Sequence, residues 1–205
     1  MIRIGILGSI GSGKSYVAKN FGYPVFNADN EVTKIYKRNK KTFTKLNKKL
    51  PNYINTFPID KNEIIKAILG NKNNLKKILK IVHEEIRKEM KLFLKKNKNR
   101  KIVILDVPLL LENNLNVKKD ILVFVESKKK DIEERLKDRT TFNKKLLNMF
   151  RKIQFSSKYK KDKSHFIIKN NFTKKSVKKD IKNILKKIWD ERNYFRHRDY
   201  RNFCK

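Results

Sequence analysis

Apolar residues along the chain fall into two patterns. Short, nearly continuous runs occur at Ile2 to Leu7 (IRIGIL), Tyr23 to Asn27 (YPVFN), Ile102 to Leu105 (IVIL), Ile121 to Val125 (ILVFV) and Phe166 to Ile168 (FII). Runs without polar alternation suit strands covered on both faces. Between them, apolar residues recur every three or four positions, most regularly in Asn74 to Lys96, where Leu75, Ile78, Leu79, Val82, Ile86, Met90 and Phe93 mark one helix face. Helices are also predicted from Lys14 onward, over Glu31 to Leu50 with Pro51 as the stop, and over Lys61 to Leu69 with Gly70 as the stop. Lys129 to Lys137, Asn143 to Lys160 and Lys174 to Tyr194 complete the set. Strands separated by helices require crossover connections, so the pattern predicts an α/β domain with a parallel sheet. The stretch from about 37 to 100 is too long for one crossover and predicts a helical subdomain mounted on the sheet. No internal repeat and no Pro/Ser linker divides the chain, and its 205 residues read as a single domain, 1–205.

Composition narrows the function classes. A hydrophobic fraction of 39% supports a packed core beside 36% charged residues. The one cysteine, Cys204, excludes an intramolecular disulfide framework and a multi-cysteine zinc site, and His83, His165 and His197 lie too far apart to form a paired ligand motif. Neither a secretory h-region nor a bilayer-spanning run of about 18 apolar residues occurs, so a cytoplasmic protein without membrane partners is expected. The formal charge of +34 would place nucleic acid first among partners. Against that, the excess is mostly lysine in scattered short runs, and asparagine and isoleucine, which share A- and T-rich codons with lysine, are also abundant. Compositional drift is the preferred account, and nucleic acid is not expected as a partner. The tail after Trp189, ERNYFRHRDYRNFCK, interleaves aromatics with arginines as single-strand binding platforms do. A terminal helix with a solvated end explains it as well and is preferred.

The chemistry concentrates in a few segments. Gly8-Ser9-Ile10-Gly11-Ser12-Gly13-Lys14-Ser15 matches G-x-x-x-x-G-K-[ST], with a predicted strand before it and a helix after it. In that context the loop N–H groups and the helix N-terminus converge on phosphate, Lys14 reaches the β- and γ-phosphates, and Ser15 offers a hydroxyl to Mg²⁺. Asp106 ends the third strand, at the edge where ligands sit in such folds. It either holds Mg²⁺ through water or caps the following turn. Asp29, at the same edge of the second strand, either orients and deprotonates an acceptor hydroxyl or N-caps the Glu31 helix. Arg135 and Arg139 lie one helical turn apart, where they either serve a mobile lid or join a solvated basic face.

Taken together and in order, GSIGSGKSYVA, FNADNEV, IVHEEIRKEM, DVPLLLE, ERLKDR and FIIKNN resemble the dephospho-coenzyme A kinase family over about residues 1 to 190. The resemblance implies a P-loop NTPase fold, a three-layer α/β/α sandwich with a five-stranded parallel core, a helical substrate-binding subdomain (about 37–100) and a lid (about 137–160). It implies ATP as phosphoryl donor, Mg²⁺, and dephospho-CoA as the acceptor phosphorylated on its ribose 3′-hydroxyl. It makes Asp29 the candidate base, with Lys14 and Arg139 catalytic beside it. Gly11, Ser12, Gly13, Lys14, Ser15, Tyr16 and Asn170 become the ATP-binding set, Asn170 near the adenine. His83, Arg87, Asp106 and Asp29 become the acceptor-binding set, and Gln154 matches a glutamine that follows the lid. A monomer is expected. The chain departs from the family pattern at Ser9, Tyr16, Asn27, Glu84 and Lys169, where the family has glycine, threonine, aspartate, proline and often aspartate. Those changes bear on substrate affinity more than on reaction type. The rival readings are a nucleoside or nucleotide kinase of the same fold and a basic nucleic-acid-binding protein that keeps the P-loop as a relic.

Overall fold

A computed structural model describes residues 1–137 and 143–196. Five strands form one sheet: β1 (Ile2–Gly8), β2 (Val25–Asn27), β3 (Ile102–Asp106), β4 (Ile121–Glu126) and β5 (Phe166–Lys169). Every pairing is parallel, and the order across the sheet is β2-β3-β1-β4-β5. Among the described residues the helices are α1 (Lys14–Asn20), α2 (Ala28–Arg38), α3 (Lys40–Lys49), α4 (Lys61–Gly70), α5 (Lys72–Lys96), α6 (Lys129–Lys137), α7 (Lys144–Lys152), α8 (Ser157–Asp162) and α9 (Lys174–Arg196). All five strands coincide with the apolar runs; β1, β3 and β4 are covered on both faces, while the edge strand β5 leaves Ile167 exposed.

The sheet separates two apolar layers. On one face Ile4, Ile6, Ile102, Ile104, Val123, Val125 and Ile168 pack with Val17 and Ala18 of α1 and with Val177, Ile181, Ile184 and Ile188 of α9. On the other, Leu7, Phe26, Leu105, Leu122 and Phe124 pack under the α2 to α5 helices. The 25-residue α5 contacts α2, α3 and α4, so its apolar stripe is the spine of that layer. No helix among the described residues is long and apolar enough to cross a membrane.

Two single predicted helices are in fact pairs. The Glu31 to Leu50 segment breaks at Asn39, which leaves helical geometry (φ −96°, ψ 90°) and whose side chain accepts from Thr42 N–H at 2.9 Å to cap α3. The Asn143 to Lys160 segment breaks at residues 153–156, where the Ser156 hydroxyl accepts from Tyr159 N–H at 3.1 Å and starts α8. In both, a side chain replaces the backbone acceptor that a continuous helix would have supplied.

Strand order places the chemistry. β1 comes first in sequence yet lies in the middle, with β3 on one side and β4 on the other. The chain therefore leaves the carboxyl ends of β1 and β3 in different directions, and a crevice opens at that edge. Gly8 and Asp106 are the terminal residues of those two neighbouring strands.

Candidate active site

The loop after β1 is shaped by glycines. Gly11 and Gly13 both have φ 87°, a left-handed conformation that β-carbon-bearing residues rarely adopt. A Cβ on Gly13 would also overlap Asn170 Nδ2, and one on Gly11 would lie 2.9 Å from Ile132 Cγ2 of α6. Beneath the loop the Ser12 carbonyl accepts from Asn170 Nδ2 at 2.9 Å and from the Ser127 hydroxyl at 3.0 Å. Asn170 is 2% exposed and its Oδ1 accepts from Phe172 N–H at 2.9 Å, so one asparagine fixes the loop to the turn after β5. Lys14 Nζ donates to the carbonyls of Gly8 (3.2 Å) and Ser9 (2.8 Å), arching over the loop that α1 continues. Loop amides, a helix N-terminus and an ammonium thus meet at one place, an arrangement suited to polyphosphate.

Asp106 and Asp29 both line the crevice beside that loop. Asn27 stands across from Asp106 in the β2–β3 register, and its Nδ2 donates to Asp106 Oδ2. The same asparagine caps α2, its Oδ1 accepting from Asn30 N–H at 2.8 Å. The cap of α2 is therefore Asn27, so the capping alternative for Asp29 fails. Asp29 sits exposed in the first turn and lines the cleft with Lys14, Ser15, Tyr16 and Asp106. Asp106 itself is 2% exposed, with its carboxyl aimed at β2 rather than into a turn cap. Asn27 in place of the family's aspartate turns a pair of adjacent carboxylates into a donor–acceptor pair.

From the phosphate loop the cleft runs under the helical layer, with a volume of about 640 Å³. Its far wall is apolar: Val32 and Tyr36 of α2, Ile64 and Ile68 of α4, Ile78 and Val82 of α5, and Leu146 and Phe150 of α7. Burial pushes the Tyr36 phenol well above its ordinary value, so it stays neutral. His83 lines the same wall. Burial, then the nearby Arg87 charge, lower its pKa, while a hydrogen bond to the Asn113 side chain acts in the opposite sense. Arg87 donates to the Asn113 carbonyl at 3.2 Å. His83 and Arg87, adjacent on α5, thus converge on one asparagine in the loop after DVPLLLE, a link that the sequence reading missed.

α6 and the turn after α7 also border the cleft, through Arg135, Leu136 and Gln154. The Arg135 guanidinium lies 4.3 Å from the Phe172 ring centroid, a cation–π contact, and Arg135 lines the cleft. Arg139, its predicted companion, lies outside the described residues. Gln154, between α7 and α8, lines the cleft. Behind it, Lys160 Nζ and Glu112 Oε1 form an ion pair at 2.8 Å with side chains 2% and 8% exposed. Glu112 Oε1 also accepts from Phe155 N–H at 2.9 Å. Ser9, the substitution in the phosphate loop, is 2.8 Å from the Ser157 hydroxyl of α8. Glu84, at the family's proline position, is exposed and paired with Lys45 of α3 at 3.1 Å, which holds its carboxyl below the usual range.

Two donors suit a hard divalent cation: the Ser15 hydroxyl in the cleft and the Asp106 carboxylate at its floor. No group of three or more His, Cys, Asp or Glu that could hold a metal ion by itself occurs among the described residues. That donor set fits Mg²⁺ carried largely by substrate phosphates.

Comparison with known proteins agrees with this geometry. A solved structure titled TT1252 from Thermus thermophilus superposes with a TM-score of 0.70 at 22% identity, covering 93% of this chain and 97% of that one. A dephospho-CoA kinase from Campylobacter jejuni gives 0.62 at 20% identity, covering 93% and 98%. At those identities the likeness establishes the fold. Sequence relatives go further: dephospho-CoA kinases of Wolbachia sp. subsp. Brugia malayi and Wolbachia pipientis wMel are each 34% identical over 187 residues, 89% of this chain and 95% of theirs. The model of the family described as dephospho-CoA kinase matches residues 2–176, taking in the phosphate loop, both cleft aspartates, the helical layer and Asn170. By that match and those relatives, the chain belongs to the dephospho-CoA kinase family.

Proposed function

We propose that the chain transfers the γ-phosphoryl group of ATP to the ribose 3′-hydroxyl of dephospho-CoA, giving CoA and ADP. The observation that carries this reading is the juxtaposition, in one cleft, of a phosphate loop with Lys14 and an exposed carboxylate, Asp29. Such a pair is what transfer to a hydroxyl needs: one side holds the polyphosphate, and the other orients the attacking oxygen.

The roles follow from position. Amides of residues 11 to 16 surround the β-phosphate, and Lys14 moves its three donors from the loop carbonyls to the β- and γ-oxygens. Tyr16 contributes backbone there. Asn170, by holding the Ser12 carbonyl, keeps the loop open to its ligand. Asp29 accepts the hydroxyl proton as the oxygen attacks phosphorus in line with the departing ADP oxygen. Arg135, and Arg139 in the lid segment of about 137–160, supply positive charge to the transferring group. Mg²⁺ would be held by Ser15, with Asp106 through water, and would supply charge neutralisation between the β- and γ-phosphates. The apolar wall accommodates the pantetheine arm within a helical subdomain of about 37–100, and His83 with Arg87 borders it.

Replacing Asp29 by Asn in an assay of CoA formation from ATP and dephospho-CoA tests both levels. kcat should fall by about 10²-fold or more with the KM for ATP little changed. A variant as fast as wild type overturns the role of Asp29, and absence of CoA with the wild-type protein overturns the reaction.

A further inference from the structure

Besides two tyrosines, six acidic or basic side chains line the cleft among the described residues: Lys14, Asp29, Lys61, His83, Asp106 and Arg135. Two of the three cations are accounted for on the donor side, Lys14 at the phosphate loop and Arg135 against Phe172. Lys61 stands apart from both, on α4. It belongs to the same stripe as Ile64 and Ile68, three and seven residues on, and all three line the cleft. One face of α4 is therefore apolar at its buried end and cationic at its exposed start.

The acids nearest to Lys61 in sequence are engaged elsewhere. Asp60 accepts from Asn62 N–H at 2.9 Å as the cap of α4. Glu63 accepts from the N–H of Asn55 at 3.3 Å with both carboxylate oxygens. Lys61 forms no ion pair with any described residue. Its four-carbon stem can follow Ile64 while the ammonium stays at the rim. Of the other basic groups on this side, Arg87 is not among the cleft-lining residues and donates to Asn113, and His83 is held toward its neutral form.

An acceptor that carries a diphosphate brings about two negative charges against a wall of Ile64, Ile68, Ile78 and Val82, where an unpaired anion is strongly disfavoured. We infer that Lys61 is the binding residue for the acceptor's diphosphate, so that the cleft holds a second phosphate subsite on α4 facing the first one at Lys14. This inference rests on the acceptor assigned above. It makes Lys61 a selector for acceptors that bear a 5′-diphosphate over plain nucleosides.

The experiment compares Lys61→Met, Lys61→Arg and the wild-type protein with ATP and dephospho-CoA. Lys61→Met should raise the KM for dephospho-CoA about ten- to a hundredfold, the value of a hydrogen-bonded charge, and leave the KM for ATP within about twofold. Lys61→Arg should restore most of the loss. Calorimetric titration of inorganic pyrophosphate into the protein saturated with ADP, which fills the Lys14 loop, gives a readout independent of turnover, and Lys61→Met should weaken that binding in proportion. Because Lys61 is exposed, the thermal midpoint should be unchanged. An unaltered KM for dephospho-CoA in Lys61→Met, or an equal rise in both KM values, overturns the inference while the assigned reaction stands. A wild-type protein inactive on dephospho-CoA defeats the reaction instead, and pyrophosphate binding insensitive to Lys61 then defeats the subsite as well.

Discussion

The Glu112–Lys160 pair gives the sharpest energetic prediction. Replacing Lys160 by Met removes the ammonium that lies 2.8 Å from Glu112 Oε1, in a site where the side chains are 2% and 8% exposed. Glu112 keeps only the Phe155 N–H, and its Oε2 already lacks a hydrogen-bond partner. Breaking one side of a buried pair costs about 3–5 kcal/mol, because the remaining charge is left without compensation. With a urea m-value of about 2 kcal/mol/M, the unfolding midpoint should fall by roughly 1.5–2.5 M. The double variant Glu112→Leu with Lys160→Met removes both charges and should recover most of the loss, less about 1 kcal/mol for the Phe155 N–H that loses its acceptor. Urea unfolding followed by circular dichroism reads all four corners of the cycle. Since α8 also carries Ser157, which meets Ser9 in the phosphate loop, the Lys160 variant should bind ATP more weakly at temperatures where it is still folded. A Lys160→Met protein destabilised by less than about 1 kcal/mol, the range of a solvated surface pair, would refute the reasoning.

Two further outcomes follow from local geometry. Gly13→Ala must hold a β-carbon at φ 87°, a strain of about 1–2 kcal/mol, and must displace Asn170 from the Ser12 carbonyl. Its affinity for ATP, measured by calorimetry, should drop at least tenfold; an undiminished affinity would show that the loop does not depend on that contact. His83 should titrate below its ordinary 6.5 when followed by NMR, and Arg87→Met, which removes the second cause, should move the midpoint up. With the folded value depressed, the unfolded chain binds the proton first, so this group's contribution is intact above pH 6.5 and is lost as pH falls from there toward the folded value. A His83 midpoint above 6.5 would contradict the burial assigned to it.

What the sequence revealed, and what it hid, divides along physical lines. The central strands β1, β3 and β4 were legible because strands covered on both faces need uninterrupted apolar runs. The phosphate loop was legible because Gly11 and Gly13 must adopt positive φ and so leave a residue signature. The break at Asn39 was hidden, since Ile35, Phe43 and Leu46 keep helical spacing across it and only the side-chain bond to Thr42 marks the new start. Asp29 and Asn27 lie two positions apart, and either suits a cap; the hydrogen bond from Asn30 decided for Asn27. Lys160 could not be singled out among 54 basic residues, because its burial depends on Glu112, 48 positions away. The convergence of His83 and Arg87 on Asn113 is likewise a product of packing between α5 and the loop after β3, with no local pattern to announce it.

The central claim is that this cleft phosphorylates dephospho-CoA in preference to other hydroxyl acceptors. The most direct measurement is kcat/KM for phosphoryl transfer from ATP to dephospho-CoA, deoxyadenosine and shikimate under one set of conditions, with the new phosphate located on the product by ³¹P NMR. The predicted result is a kcat/KM for dephospho-CoA larger than for either alternative by about 10²-fold or more, with the phosphate on the ribose 3′-oxygen. Equal or greater efficiency with a nucleoside, or phosphate at any other position of dephospho-CoA, would contradict the account.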